Sequence, residues 1–190
     1  MLYVTPLNTT TLYLLRHAEA DGPSQSASLS EAGRRAAEAL IPTLEAFEID
    51  AIFSSPLDRA LQTASPFAAK SGLNITTMPD LREHRLSLQV PDPDDPLLEQ
   101  RFEKRGLARP GGESFQAVLG RLRQAILAIS RRPYAAPLAV THGGVIASLL
   151  STLDRSYGYA EFIQMPRPAL FKVTHRKGSP TQIEPIELTG

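Results

Sequence analysis

The stretch "LYLLRHAEAD", residues 12–21, decides how this chain is read. Leu12, Tyr13, Leu14 and Leu15 form an apolar run suited to a buried strand, and Arg16 and His17 follow at once. A strand that belongs in a core and ends in an arginine and a histidine needs partners for both. The pair alone means little, so its reading depends on what the rest of the chain brings to the same place.

Working outward, two kinds of segment alternate. Residues 10–15, 50–54, 73–78, 137–141 and 170–174 are short and rich in apolar or β-branched residues, as strands are. Helical patterns lie between them. "LSEAGRRAAEALIPTLEAF" starts with Ser30 as an N-cap and places Ala37, Leu40, Ile41 and Leu44 at helical spacing, with a kink expected at Pro42. "PLDRALQTASPFAAKSG" has Pro56 suited to a first helical turn, a break expected at Pro66 and a stop at Gly72. "ESFQAVLGRLRQAILAISRR" puts Phe115, Val118, Leu119, Leu122, Ile126 and Ile129 on one face. "GGVIASLLSTL" is a shorter and more buried helix, and "TQIEPIELTG" reads as an edge strand and tail.

Strands alternating with helices predict right-handed crossovers and a three-layer α/β/α sandwich around a mostly parallel sheet. The 190 residues suit one domain, 1–190. Residues 79–112 break the rhythm with a stiff acidic loop ("PDPDDP"), a short amphipathic helix ("LLEQRFEKR") and a turn ("ARPGG"), and are read as a small cap insertion within that domain.

The composition narrows the function. The 20 basic residues balance the 20 acidic ones, so no global field argues for nucleic acid. Cysteine is absent, which removes disulfides, thiolate metal sites and a cysteine nucleophile. The first residues lack the basic n-region of a signal peptide, and no apolar stretch approaches the roughly 18 residues of a membrane span. A cytoplasmic protein is expected.

Ligands of open α/β sheets collect outside the carboxyl ends of the strands. There the first strand delivers Arg16 and His17, the second Ser54 and Ser55 with Arg59 close behind, and the fourth His142 followed by Gly143, Gly144 and a helix start. Two arginines, two histidines and free helix N–H groups suit a phosphoryl group. Glu83, in "DLREHR", supplies a carboxyl group that can protonate a leaving alkoxide. Neither a Walker loop nor a carboxylate cluster for magnesium is present, and without cysteine an imidazole is the best available nucleophile.

"LLRHAEA", "SSPLDRALQTA", "LRE" and "VTHGGVI", in this order, resemble the histidine phosphatase superfamily with its phosphoglycerate-mutase-like fold; "LSEAGRRAA" and "PGGES" also fit. The resemblance covers roughly residues 10–150. It implies that His17 is phosphorylated in line, that Arg16, Arg59 and His142 clamp the phosphoryl oxygens, and that Glu83 protonates the leaving oxygen. It implies no metal and no organic cofactor; the expected partners are a small phosphorylated substrate and the inorganic phosphate released. Gly143 belongs to the phosphate-binding set, and Ser24 stands in for an asparagine common in the family where this chain has Pro23. Ala18 follows the histidine where many members have glycine, and "LSLQVPD" replaces the family's "WEG"-like stretch. Glu19 is expected to orient the site, Thr63 to brace it, and His84 and His175 to be surface histidines. The basic side chains of residues 82–109 are read as a solvated face.

The leading function is a metal-independent phosphomonoester phosphatase acting on a small metabolite through a phosphohistidine. Mutase-type phosphoryl transfer and a non-catalytic phosphate- or phosphoprotein-binding module are the alternatives. A mutase must shield its phosphohistidine from water, which a compact chain with a short cap does poorly.

Overall fold

The computed structural model describes residues 9–22, 24–86, 96–176 and 181–188. Six strands form one sheet: β1 (Thr9–Arg16), β2 (Ala51–Ser54), β3 (Ile75–Thr77), β4 (Pro137–Thr141), β5 (Ala169–Arg176) and β6 (Gln182–Ile186), in the order β3-β2-β4-β1-β5-β6. β3, β2, β4 and β1 pair in parallel, while β5 is antiparallel to both β1 and β6. The helices are α1 (Glu31–Ala39), α2 (Ile41–Ala46), α3 (Asp58–Ser71), α4 (Leu97–Glu103), α5 (Phe115–Ser130), α6 (Gly143–Leu153) and α7 (Tyr159–Gln164). A 3-10 turn covers Pro79–Leu81.

Alternation along β1 sorts its side chains between two cores. Leu12 and Leu14 join Val118, Leu122, Ile129 and Ile146 from α5 and α6. Tyr13 and Leu15 face the other way, against Leu44, Ala60, Ala64 and Phe67 from α2 and α3. The sheet is therefore the middle of three layers, as expected. Leu14 and Leu15 have 0% exposure, and each such side chain stabilises the fold by about 1.5–3 kcal/mol. The result is a strand fixed in position, with its charged end held out of the core.

Local chemistry explains most boundaries. The Ser30 side chain accepts from the Gly33 N–H and Ser114 from the Ala117 N–H, two N-caps that start α1 and α5. Pro42 does interrupt its pattern: α1 ends at Ala39 and α2 begins at Ile41 with the proline in its first turn. Gly72 closes α3 with a left-handed φ of 74°.

Two expectations about proline fail. α3 begins at Asp58, so Pro56 precedes the helix rather than forming its first turn. Pro66 does not break α3, which runs through it to Ser71. The buried face of Ala60, Thr63, Ala64 and Phe67 packs on both sides of the proline, and that tertiary packing outweighs the lost hydrogen bond. Most of "PDPDDP" and of "LSLQVPD" lies outside the described residues, as does Pro23. No helix among the described residues is long and apolar enough to cross a membrane.

Candidate active site

β1 and β4 are neighbours whose following helices leave on opposite faces, and their registers align Arg16 with Thr141. This is a topological switch point, where the strand ends open into a crevice. β2 lies on the far side of β4, with Ser54 opposite Val140. Three strand ends therefore present Arg16-His17, Ser55 and His142 side by side.

His17 is buried, and its position is set by main-chain contacts. Its N–H donates to the Thr141 carbonyl at 3.0 Å. Its Nδ1 lies 2.6 Å from the Ala18 carbonyl, an atom that can only accept, so Nδ1 carries the proton and Nε2 keeps a lone pair. That lone pair accepts from Arg59 Nε–H at 3.1 Å. Burial lowers the His17 pKa to about 3, against the Ala18 hydrogen bond and with help from the charges of Arg59, Arg16 and Arg167. The imidazole is thus neutral at ordinary pH, with its nucleophilic nitrogen turned into the crevice.

The two arginines are held by carbonyls. Arg16 Nη1 donates to the Met165 carbonyl at 2.5 Å, and Arg59 Nη1 to that of Ser24 at 2.8 Å. Thr63 braces the arrangement as expected, accepting from the Ala18 N–H at 3.0 Å and donating to the Arg59 carbonyl at 2.7 Å. His142 is fully buried, its Nε2 2.7 Å from Ser55 Oγ, and its ring meets that of His17 edge-on at 5.0 Å. Burial first, then the charges of its neighbours, hold the His142 pKa well below the usual imidazole value.

Glu83 approaches from the 3-10 turn, which Thr141 ties to β4 by donating to the Leu81 carbonyl at 2.7 Å. Two glycines give the charged groups room. A Cβ on Gly143 would lie 2.9 Å from the Arg16 guanidinium carbon, and one on Gly144 would lie 2.8 Å from Glu83 Oε1. One ligand atom each of His17, Glu83 and His142 lie within 4.8 Å of one another. That spacing would suit a cation, but Arg16 and Arg59 in the same crevice favour an anion. Arg16 Nε and His142 Nδ1 are buried and make no hydrogen bond among the described residues, so two polar atoms of the site are left unsatisfied.

The structure thus gathers Arg16, His17, Arg59, Glu83, His142 and Gly143. Ser24 joins through a different atom: its hydroxyl is exposed and meets Ser26 Oγ at 3.0 Å, while its carbonyl holds Arg59. Glu19 accepts from the Ser30 hydroxyl and so acts on the start of α1. His175 is exposed, but His84 is buried, contrary to expectation, and so is Arg101.

Two residues near the site carried no sequence signal. Arg167 is exposed, and its charge depresses the pKa values of Arg16, His17 and Arg59. Tyr157 has a buried hydroxyl without a hydrogen bond among the described residues, pushed up to about 12 by burial, and it interacts electrostatically with Arg16.

Residues 12–184 match the model of the histidine phosphatase superfamily (branch 1), and the chain belongs to that superfamily. Its sequence is 33% identical over 167 residues to a probable phosphoglycerate mutase of Yersinia pestis, covering 79% of this chain and 77% of that one. Among solved structures, a mycobacterial glucosyl-3-phosphoglycerate phosphatase in complex with inorganic phosphate is 26% identical, with a TM-score of 0.73, covering 95% of this chain and 97% of the other. Bacillus stearothermophilus YhfR is 27% identical with a TM-score of 0.75, covering 93% and 96%.

Proposed function

We propose that this protein is a phosphomonoester phosphatase that hydrolyses a small phosphorylated metabolite through a phosphohistidine on His17. One observation carries the reading: His17 Nδ1–H is fixed on the Ala18 carbonyl, leaving a neutral Nε2 beside Arg59 and within reach of Glu83 and His142.

In the first step His17 Nε2 attacks phosphorus, the bond to the leaving oxygen breaks, and Glu83 gives that oxygen its proton. The Arg59 Nε–H that rested on Nε2 turns to an equatorial oxygen. Arg16 Nε–H and, with Ser55 donating to Nε2, the His142 Nδ1–H meet the others. In the second step water attacks the phosphohistidine, the Glu83 carboxylate takes its proton, and the N–P bond breaks to release inorganic phosphate. The selection of the alcohol portion is assigned to the segment that carries Glu83 and α4, within the insertion read from the sequence at 79–112. The phosphatase among the structural relatives supports hydrolysis, and the charge of the crevice supports a phosphoryl ligand.

The test uses purified protein with p-nitrophenyl phosphate in EDTA. Hydrolysis is expected in the wild type, with a loss of roughly 1,000-fold or more in His17→Ala. Equal rates in the two proteins would remove His17 as nucleophile. The relative named as a probable phosphoglycerate mutase motivates a second reading, phosphoryl transfer. Appearance of 2-phosphoglycerate from 3-phosphoglycerate with a bisphosphoglycerate primer, outpacing phosphate release, would favour it.

A further inference from the structure

His84 sits next to the proposed acid in a run of charge, "REHR", yet it has 7% exposure. Its main-chain N–H donates to Glu83 Oε1 at 2.7 Å and so fixes one oxygen of that carboxylate. Its ring Nε2 lies 2.6 Å from the Glu113 carbonyl, which can only accept. Nε2 therefore carries the ring proton, and Nδ1 is an acceptor. The group placed to use that acceptor is Arg101 Nη1, at 3.1 Å.

Arg101 lies on α4, in the segment 79–112, and its side chain reaches inward to 3% exposure. Its guanidinium carbon stands 4.8 Å from the ring centre of Phe115, 5.6 Å from that of Phe162 and 5.9 Å from that of Phe102. The His84 ring packs on the same Phe115 at 5.3 Å. A guanidinium taken out of water among three aromatic rings fits where cation–π contacts and a neutral imidazole receive it. Burial, then the Arg101 charge, lowers the His84 pKa to about 4, so the acceptor at Nδ1 persists at neutral pH. The main chain at Gly144 also passes close to His84: an added Cβ there would come to 3.0 Å from His84 Cβ.

We propose that Arg101 and His84 form a positioning pair that ties α4 to the Glu83 carboxyl, so that the seating of α4 aligns the acid toward the leaving oxygen. The chain of contacts runs from the α4 guanidinium to the ring, from the ring to the main chain of residue 84, and from its N–H to Oε1. Oε1 is thereby occupied and Oε2 is left for the leaving group. Neither Arg101 nor His84 touches the phosphoryl group; both act through Glu83. The proposal rests on the reading of Glu83 as proton donor.

The measurement is the ratio of kcat on an alkyl phosphate, whose leaving oxygen needs the proton, to kcat on p-nitrophenyl phosphate, which needs it little. Arg101→Met keeps the apolar volume among the rings and removes the donor. His84→Gln keeps an N–H for the Glu113 carbonyl and loses the Nδ1 acceptor. Each is expected to lower the ratio about 10-fold or more, in kcat rather than KM, with inhibition by inorganic phosphate unchanged. The double variant should lose no more than either single one. Arg101→Lys, which keeps a charged donor over the rings, should restore part of the ratio, and it carries the test if Arg101→Met is poorly folded.

Glu83→Gln is measured alongside. A selective loss in Glu83→Gln with equal losses on both substrates, or none, in the Arg101 and His84 variants would overturn the pair alone. Equal losses on both substrates in Glu83→Gln would overturn the acid reading itself, and the proposal with it.

Discussion

At the end of β1 and the start of α3 the side chains of the site are held by main-chain atoms. The Ala18, Met165 and Ser24 carbonyls fix His17, Arg16 and Arg59, and the strands behind them are sealed in two apolar cores. In the segment that carries Glu83, the His84 N–H and the Glu113 carbonyl share the holding with ion-paired side chains. Glu113 accepts from Arg82 at 3.1 Å, from Arg121 at 3.0 and 3.2 Å, and from the Arg85 N–H at 3.1 Å. Arg121 in turn reaches the Asp80 and Glu83 carbonyls. Burial alone would raise the Glu113 pKa, but the Arg121 and Arg85 hydrogen bonds overcome it and leave it lowered. A main-chain carbonyl is present whatever the side chain, whereas an ion-paired side chain can be re-aimed by one substitution. Under the proposed function, the first region would serve what every substrate shares, the phosphoryl group, and the second what differs, the alcohol and its need for a proton.

The strongest way to break this comparison is to remove Arg59, one of the side chains proposed to clamp the phosphoryl group. Arg59→Ala should lower kcat/KM by about 100- to 1,000-fold, and to the same degree for alkyl and aryl phosphates. A loss confined to alkyl phosphates would place Arg59 with the acid, and the division would fall. Initial rates on two substrates with different leaving groups decide it.

The sheet side was legible because its chemistry is contiguous. An apolar run that ends in Arg16-His17, and another that ends before His142 and two glycines, announce strand ends in the sequence, and parallel register does the rest. Ser24 meets Arg59 through its carbonyl rather than its hydroxyl, and nothing in a sequence says which of the two will face the guanidinium. The acid segment was harder. "REHR" looks solvated, and only the distant Phe115 and Phe162 make a buried site for Arg101 against His84. Pro66 points to a break because its penalty is local, while the packing that overrides it is tertiary. Arg167 lies far along the chain from Arg16, and only the pairing of Ala169 with Arg16 brings it near.

Both regions hold neutral imidazoles, and pH tests them together. His17, His84 and His142 all have folded-state pKa values below the usual 6.5, His17 near 3 and His84 near 4, with burial as the main cause. The unfolded chain takes up these protons and the folded one does not. Stability is therefore full above about pH 6.5 and falls as pH drops from there toward the folded values, by roughly 1 kcal/mol per histidine per pH unit. Glu113 shifts stability in the same direction, but its window lies lower, below the ordinary carboxylate range. Urea midpoints between about pH 7 and pH 5 isolate the histidines. His84→Gln should flatten the slope by one histidine's share; an unchanged midpoint across the range would mean that the imidazoles protonate in the folded protein.

The smallest expected effect sharpens the boundary between the two regions. Arg167 follows Met165 and Pro166, whose carbonyls lie 2.5 and 3.4 Å from Arg16 Nη1, yet it makes no hydrogen bond or ion pair of its own among the described residues. Its charge still reaches Arg16, His17 and Arg59. Because it is exposed, its attraction for an arriving phosphate is screened, and Arg167→Met should raise KM only about 2- to 5-fold with kcat unchanged. Salt separates this from a direct contact. Between about 10 mM and 1 M salt the screening length shrinks from about 30 Å to about 3 Å, so the two proteins should differ at low salt and converge at high salt. A KM ratio that persists at high salt, or a fall in kcat, would instead make Arg167 a group that touches the bound substrate, and the clamp would then extend beyond the strand ends.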